Sequence, residues 1–124
     1  MKGVKAFTAV LLATALLASA APASGKTAAF KHYVACGVSQ HAKPSHRCQK
    51  GRQKGAFFRS NLADVVYTVC VKFPTGRNLC ARGQEATKGT LYVNKITSNI
   101  HGKHRVTWFV GGKRIGVFTF VVTG

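Results

Sequence analysis

Two short constellations in this chain hold residue types that could do chemistry. His101-Gly102-Lys103-His104-Arg105 sets two imidazoles three residues apart among cationic neighbours. Two histidines can share acid and base duty in cleaving a phosphodiester, with Lys103 or Arg105 stabilising the charge that develops. A small basic ribonuclease using His101 and His104 would carry such a set. The same residues also suit a polar turn ahead of the strand-like Val106–Val110, with His and Lys facing solvent. The second constellation runs Cys36, His41, His46, Cys48, and two Cys with two His match zinc chemistry. Its C-x4-H-x4-H-x-C spacing is not that of a CxxC knuckle, however, and an oxidising compartment removes the thiolates. We expect a disulfide there, with no metal and no cofactor.

Other catalytic patterns are missing from the sequence. Asp64 and Glu85 are its only two acids, so a paired-carboxylate glycosidase would rest on those alone. Asp64 opens a strand-like run and Glu85 sits in a stretch read as a Gly/Thr-rich loop. There is no G-x-S-x-G elbow, no HExxH and no Walker loop. Trp108, Tyr67, Phe73, Phe118 and Phe120 could stack on sugars or bases, but in a small domain such aromatics more simply form the core. The expected class is non-enzymatic.

Residues 1–20 say where the protein works. Lys2 and Lys5 precede the 13-residue apolar run AFTAVLLATALLA, and Ala18-Ser19-Ala20 is a small-x-small cleavage site. That is the layout of a secretory signal peptide, and the run is too short for a membrane span of about 20 residues. Cleavage is expected after Ala20, with Ala23 as the alternative. This gives a secreted chain with no transmembrane segment, a tail at 21–29 and one domain at 30–124.

Charge narrows the partners. The 19 basic residues less Lys2 and Lys5 leave 17, which against two acids give the mature chain +15. Such a balance attracts polyanions: an anionic cell-wall polymer, a polysaccharide or a phospholipid surface. It offers no sequence-specific nucleic-acid motif. The densest basic run, read as a long loop leading into a strand, holds Lys43, Arg47, Lys50, Arg52, Lys54 and Arg59 with no acid among them. These six are the expected polyanion-binding residues, on a protein expected to be a monomer.

The elements that must position these residues follow a period of two. In Asp64–Phe73 the odd positions Val65, Tyr67, Val69, Val71 and Phe73 are all apolar, the mark of a half-buried strand. Thr90–Thr97, Arg105–Val110 and Ile115–Val122 are β-rich, and His32–Cys36 and Ala56–Arg59 are weaker strands. Gly111-Gly112-Lys113-Arg114 reads as a hairpin turn. No segment makes an amphipathic helix. Short strands with frequent turn signals indicate an all-β antiparallel sandwich or barrel.

Four cysteines allow three pairings, and hairpin geometry selects one. A three-residue loop Pro74-Thr75-Gly76 sets Phe73 opposite Arg77, Lys72 opposite Asn78, Val71 opposite Leu79, and therefore Cys70 opposite Cys80. Directly opposed Cβ atoms lie roughly 4.5–5.5 Å apart, near disulfide range. Cys36 and Cys48 then pair, so that both rings are local, and each contributes about 3 kcal/mol through chain entropy.

The C-terminal HGKHRVTWFVGGKRIGVFTFVV resembles the closing hairpin of bacterial secreted immunoglobulin-like β-sandwich modules. Their pattern is met by Gly102, Val106, Trp108, Gly112-Lys113, Phe120 and Val122. The resemblance covers about the last quarter of the chain and implies a small Ig-like sandwich devoted to binding or adhesion, with no functional residue carried over. Secreted sandwiches of this size also include protease inhibitors. An inhibitor would present a tied, exposed loop, and Phe73–Leu79, with Arg77, is the one to test.

Overall fold

The structure, a computed structural model, describes residues 28–124. The signal peptide expected at 1–20 and most of the tail fall outside the described residues. Eight strands follow in chain order: β1 (Phe30–Ala35), β2 (Arg47–Gln49), β3 (Lys54–Ser60), β4 (Val65–Lys72), β5 (Asn78–Ala86), β6 (Tyr92–Ile96), β7 (Gly102–Val110) and β8 (Lys113–Thr123). No helix occurs among the described residues, and none is long and apolar enough to cross a membrane. The strands form a three-stranded sheet, β1-β3-β6, and a five-stranded sheet, β2-β8-β7-β4-β5. All pairings are antiparallel except β2 with β8, which is parallel.

Alternation decides what each strand buries. Tyr67, Val69 and Val71 of β4, Val106 and Trp108 of β7, and Phe120 and Val122 of β8 face Val34, Ala56, Phe58 and Ile96 of the small sheet in one core. Fully burying a large apolar side chain contributes about 1.5–3 kcal/mol, and Trp108, Phe58, Phe120 and Val106 are all fully buried. Tyr33, Ala35 and Phe57, on the opposite face of β1 and β3, make a smaller cluster with Ala42, Leu91 and Val93. A polar chain also joins the sheets. The Tyr67 hydroxyl donates to Asn94 Oδ1, and Asn94 Nδ2 donates to Gln84 Oε1. Burial, aided by Tyr92, pushes the Tyr67 phenol up to about 12.

The β4–β5 hairpin has the register expected from its cysteines: Lys72 opposite Asn78, Val71 opposite Leu79, Cys70 opposite Cys80. Gly76, at φ +92°, occupies the left-handed region that its tight turn needs. The β7–β8 turn is tighter than expected. Gly111 and Gly112, both at positive φ, make it alone, and Lys113 and Arg114 already belong to β8.

Both expected disulfides form, Cys36–Cys48 and Cys70–Cys80. They do different things. Cys70–Cys80 pins two neighbours within the large sheet. Cys36, just past β1 of the small sheet, is tied to Cys48 in β2 of the large one, so a bond local in sequence staples the two layers together.

Candidate anion-binding surface

The six expected polyanion-binding residues do not come together. Lys43, Arg47, Lys50 and Arg52 are exposed, but Lys54 is only 1% exposed and Arg59 is half-buried. The run is not a long loop. It holds β2 and all but the last residue of β3. Along β3, Lys54 shares its face with Ala56 and Phe58, so the pleat turns it between the sheets. Arg59 lies on the outer face of the small sheet, opposite Lys31, and its Nε donates to Asn61 Oδ1. Of the six, only Arg47 stands on the outer face of the large sheet, beside the inward Cys48.

That outer face gathers cations the sequence scattered. Lys72 of β4 lies directly opposite Arg105 of β7, and both are exposed. Lys103, two residues before Arg105, shares its face. It pairs with Val121 of β8, which in turn pairs with Arg47 of β2. Three strands, β4, β7 and β2, therefore carry Lys72, Arg105, Lys103 and Arg47 across one end of the sheet, with β8 between β7 and β2. Toward the other end, Arg82 and Arg114 flank Thr68 and Phe109. Between the two groups lie the Cys70–Cys80 bridge and Thr107. A groove of about 290 Å³ runs there between Lys72, Asn78, Arg105 and Phe109. Like charges directly opposite each other destabilise a sheet, so Lys72 and Arg105 form a pair that an anion would relieve.

The two histidines of the ribonuclease alternative are set apart. His101 is exposed, while His104 is fully buried, stacked on Phe120 with centroids 4.7 Å apart. The carbonyl of Gly102 can only accept, so His104 Nδ1, 3.1 Å away, donates to it. Nε2 then accepts from the Ser98 hydroxyl at 2.8 Å. Burial holds His104 below the usual imidazole range, with the nearby Lys54 charge as a smaller cause. A hydroxyl on an imidazole can be a nucleophile and its base. Here Ser98 is 8% exposed, and the pair satisfies an imidazole enclosed by Phe73 and Phe120.

The zinc alternative loses its thiolates to the Cys36–Cys48 bridge. His46 stacks on Phe118 with ring centroids 4.1 Å apart, and its Nδ1 meets the Thr119 carbonyl. The aromatics of the stacking alternative, Tyr67, Phe73, Trp108 and Phe120, are core residues, and Phe118 is packed against them.

Glu85 is in β5 rather than a loop. It pairs with Val66, and Asp64 precedes β4, so both acids line one small cleft far from the Lys72 end. The candidate inhibitor loop is a paired hairpin. Phe73 N–H donates to the Arg77 carbonyl and Gly76 N–H to the Phe73 carbonyl. Its backbone groups are turned on one another rather than extended to add a strand in a protease cleft.

No protein-family model matches the chain, and no curated protein sequence does. Among solved structures it is similar to an immunoglobulin-like protein from Pseudomonas aeruginosa, with 13% identity and a TM-score of 0.54 over 78% of this chain and 94% of that one. An overlap with the alkylpurine DNA glycosylase AlkC of Pseudomonas fluorescens, solved bound to DNA containing an abasic site analogue, has 14% identity and a TM-score of 0.43. It covers 78% of this chain and 31% of that one, and at that score carries no argument. The first likeness shows a fold: an immunoglobulin-like β-sandwich. Two disulfides fit such a domain working outside the cytoplasm.

Proposed function

We propose that this immunoglobulin-like sandwich is a secreted, non-enzymatic module that binds an anionic polysaccharide or wall polymer across the outer face of its five-stranded sheet. The observation that carries the proposal is the opposed pair Lys72 and Arg105, extended by Lys103 and Arg47. No Asp or Glu lies on that end of the face. Adjacent strands sit about 4.8 Å apart and residues about 3.4 Å apart along them. The cations thus form a rigid grid on paired backbone, and an ordered grid loses less entropy on binding than charges on loose loops. Lys50 and Arg52, beyond the end of β2, extend the same end toward solvent.

Retention on immobilised heparin tests this. Retention should fall steeply with salt, as for any attraction between exposed charges. Replacing Lys72 and Arg105 together by Met should lower the salt needed for elution well below that of a Lys88→Met, Lys113→Met double variant. Both doubles change the net charge equally. Equal elution would mean that the attraction is diffuse and that the sheet face is no site.

A further inference from the structure

A second feature lies at the same end of the sandwich but between the sheets. Lys54, paired with Ile96, points inward and is 1% exposed. Its ammonium donates to the Arg52 carbonyl at 2.7 Å, which leaves two of its three protons without an acceptor among the described residues. Neither acid of the chain can neutralise it. Ser60, at the far end of β3, bonds the Ala63 carbonyl, and Asp64 and Glu85 lie at that end. Six residues of strand, roughly 20 Å, separate them from Lys54. The nearby titratable group is His104, itself a base, and burial lowers the pKa of both. An uncompensated buried charge is among the least favourable arrangements a fold can hold.

What lies beside Lys54 supplies donors. It lines an open groove of about 440 Å³ together with Arg52, Lys95, Thr97, Ser98 and Asn99. Arg52 and Lys95 are exposed cations at its rim. Asn99 Oδ1 is occupied by the Gly51 N–H at 2.7 Å, so its amide nitrogen is left to donate. The Ser98 proton is committed to His104, which leaves the Thr97 hydroxyl as a further donor. No carboxylate lines this groove among the described residues.

We propose that this groove is a binding site for a small oxyanion of the phosphate or sulfate class, with the Lys54 ammonium as its fixed counter-charge and Asn99, Arg52 and Lys95 closing around it. Charge-assisted hydrogen bonds to a multi-oxygen anion are the strong kind, and the anion supplies the missing partner of Lys54. The site is distinct from the sheet face of the proposed function. It takes a single group rather than a polymer, and either can exist without the other.

Thermal unfolding of the full chain in sodium phosphate, compared with sodium chloride at equal ionic strength and pH 7, tests the site. A ligand that binds only the folded state raises Tm as its concentration passes Kd. For a domain of this size the expected rise is about 4–8 °C at several times Kd. Glycerol phosphate run in parallel separates a site for free anion, where only inorganic phosphate acts, from one that accepts a terminal phosphate group, where both act. Lys54→Met should raise Tm in chloride and lose the phosphate increment. Asn99→Asp keeps the acceptor for Gly51 and places a carboxylate in the groove that Lys54 lines, and should do the same if Lys54→Met does not fold. The Lys72→Met, Arg105→Met double variant should keep the increment while losing heparin retention. Equal Tm values in phosphate and chloride, or an increment that survives Lys54→Met or Asn99→Asp, would overturn the assignment.

Discussion

Reversing one charge on the sheet face should make this protein more stable and a weaker polyanion binder at once. Lys72 and Arg105 are directly opposite on adjacent antiparallel strands, and both are exposed. Opposed Cβ atoms on neighbouring strands lie roughly 4.5–5.5 Å apart, and two like charges at a comparable separation of about 6 Å in water repel by about 0.7 kcal/mol. Screening at physiological salt, with a Debye length of about 8 Å, roughly halves that. Lys72→Glu turns the repulsion into attraction, a swing of up to about 1.4 kcal/mol at low salt and about half as much at 0.15 M. Ordering the two side chains consumes part of it. For a domain of about 100 residues, 1 kcal/mol moves Tm by about 4–8 °C. We therefore expect a rise of about 4–8 °C at 10 mM salt that shrinks by about half at 0.15 M. Lys113→Glu is the reference, since it makes the same change in net charge but pairs with Val110 rather than with a cation. Thermal unfolding at the two salts gives the stability, and heparin elution of the same samples gives the binding. If Lys72→Glu is no more stabilising than Lys113→Glu at low salt, the opposed pair is not felt and the physical case for the site fails.

Two further outcomes follow from the interior. His104 and His32 are both held below the ordinary imidazole range, chiefly by burial, so below pH 6.5 the unfolded chain binds more protons than the folded one. Stability should therefore fall as pH drops from about 6.5 through the lowered values, and His104→Gln should flatten that slope in denaturant titrations at pH 7 and 5; an unchanged slope would mean His104 does not titrate against the fold. A Cβ at Gly116 would collide with the His32 ring, so Gly116→Ala should cost about 1–3 kcal/mol by overpacking, and His32→Ala in the same chain should recover most of it; a fully stable Gly116→Ala single variant would show that the ring moves aside freely.

The parts of this fold legible in the sequence were those that local pattern dictates. The β4–β5 register followed from one turn glycine and two cysteines, because a three-residue loop leaves a single alignment. β2 could not be seen, since Arg47–Gln49 is three residues long with no periodicity, and is a strand only because the end of β8 lies beside it. β5 was hidden beyond Cys80 by Gly83, which sits at positive φ where the register shifts, so Glu85 looked like part of a loop. The burial of Lys54 was within reach: it is two residues from Ala56 and four from Phe58, the inward face of β3, and a period-two count would have turned it in. The sheet-face site was not. Lys72, Arg105, Lys103 and Arg47 come from three distant segments, and only the strand order β2-β8-β7-β4 makes them neighbours.

The staple between the layers also bears on how the domain would respond to a pulling force. The chain enters the sandwich at Phe30, opposite Ser60, and leaves it at Thr123, opposite Gln49, at the other end of the molecule. Tension applied between those points runs along the strands, so the ladders joining β1 to β3 and β2 to β8 are loaded in shear, with many bonds strained together rather than one after another. Cys36–Cys48 adds a covalent path from the end of β1 directly into β2. The loop between them is thereby removed from the length that can pay out, and the two sheets are held in step until the shear contacts fail.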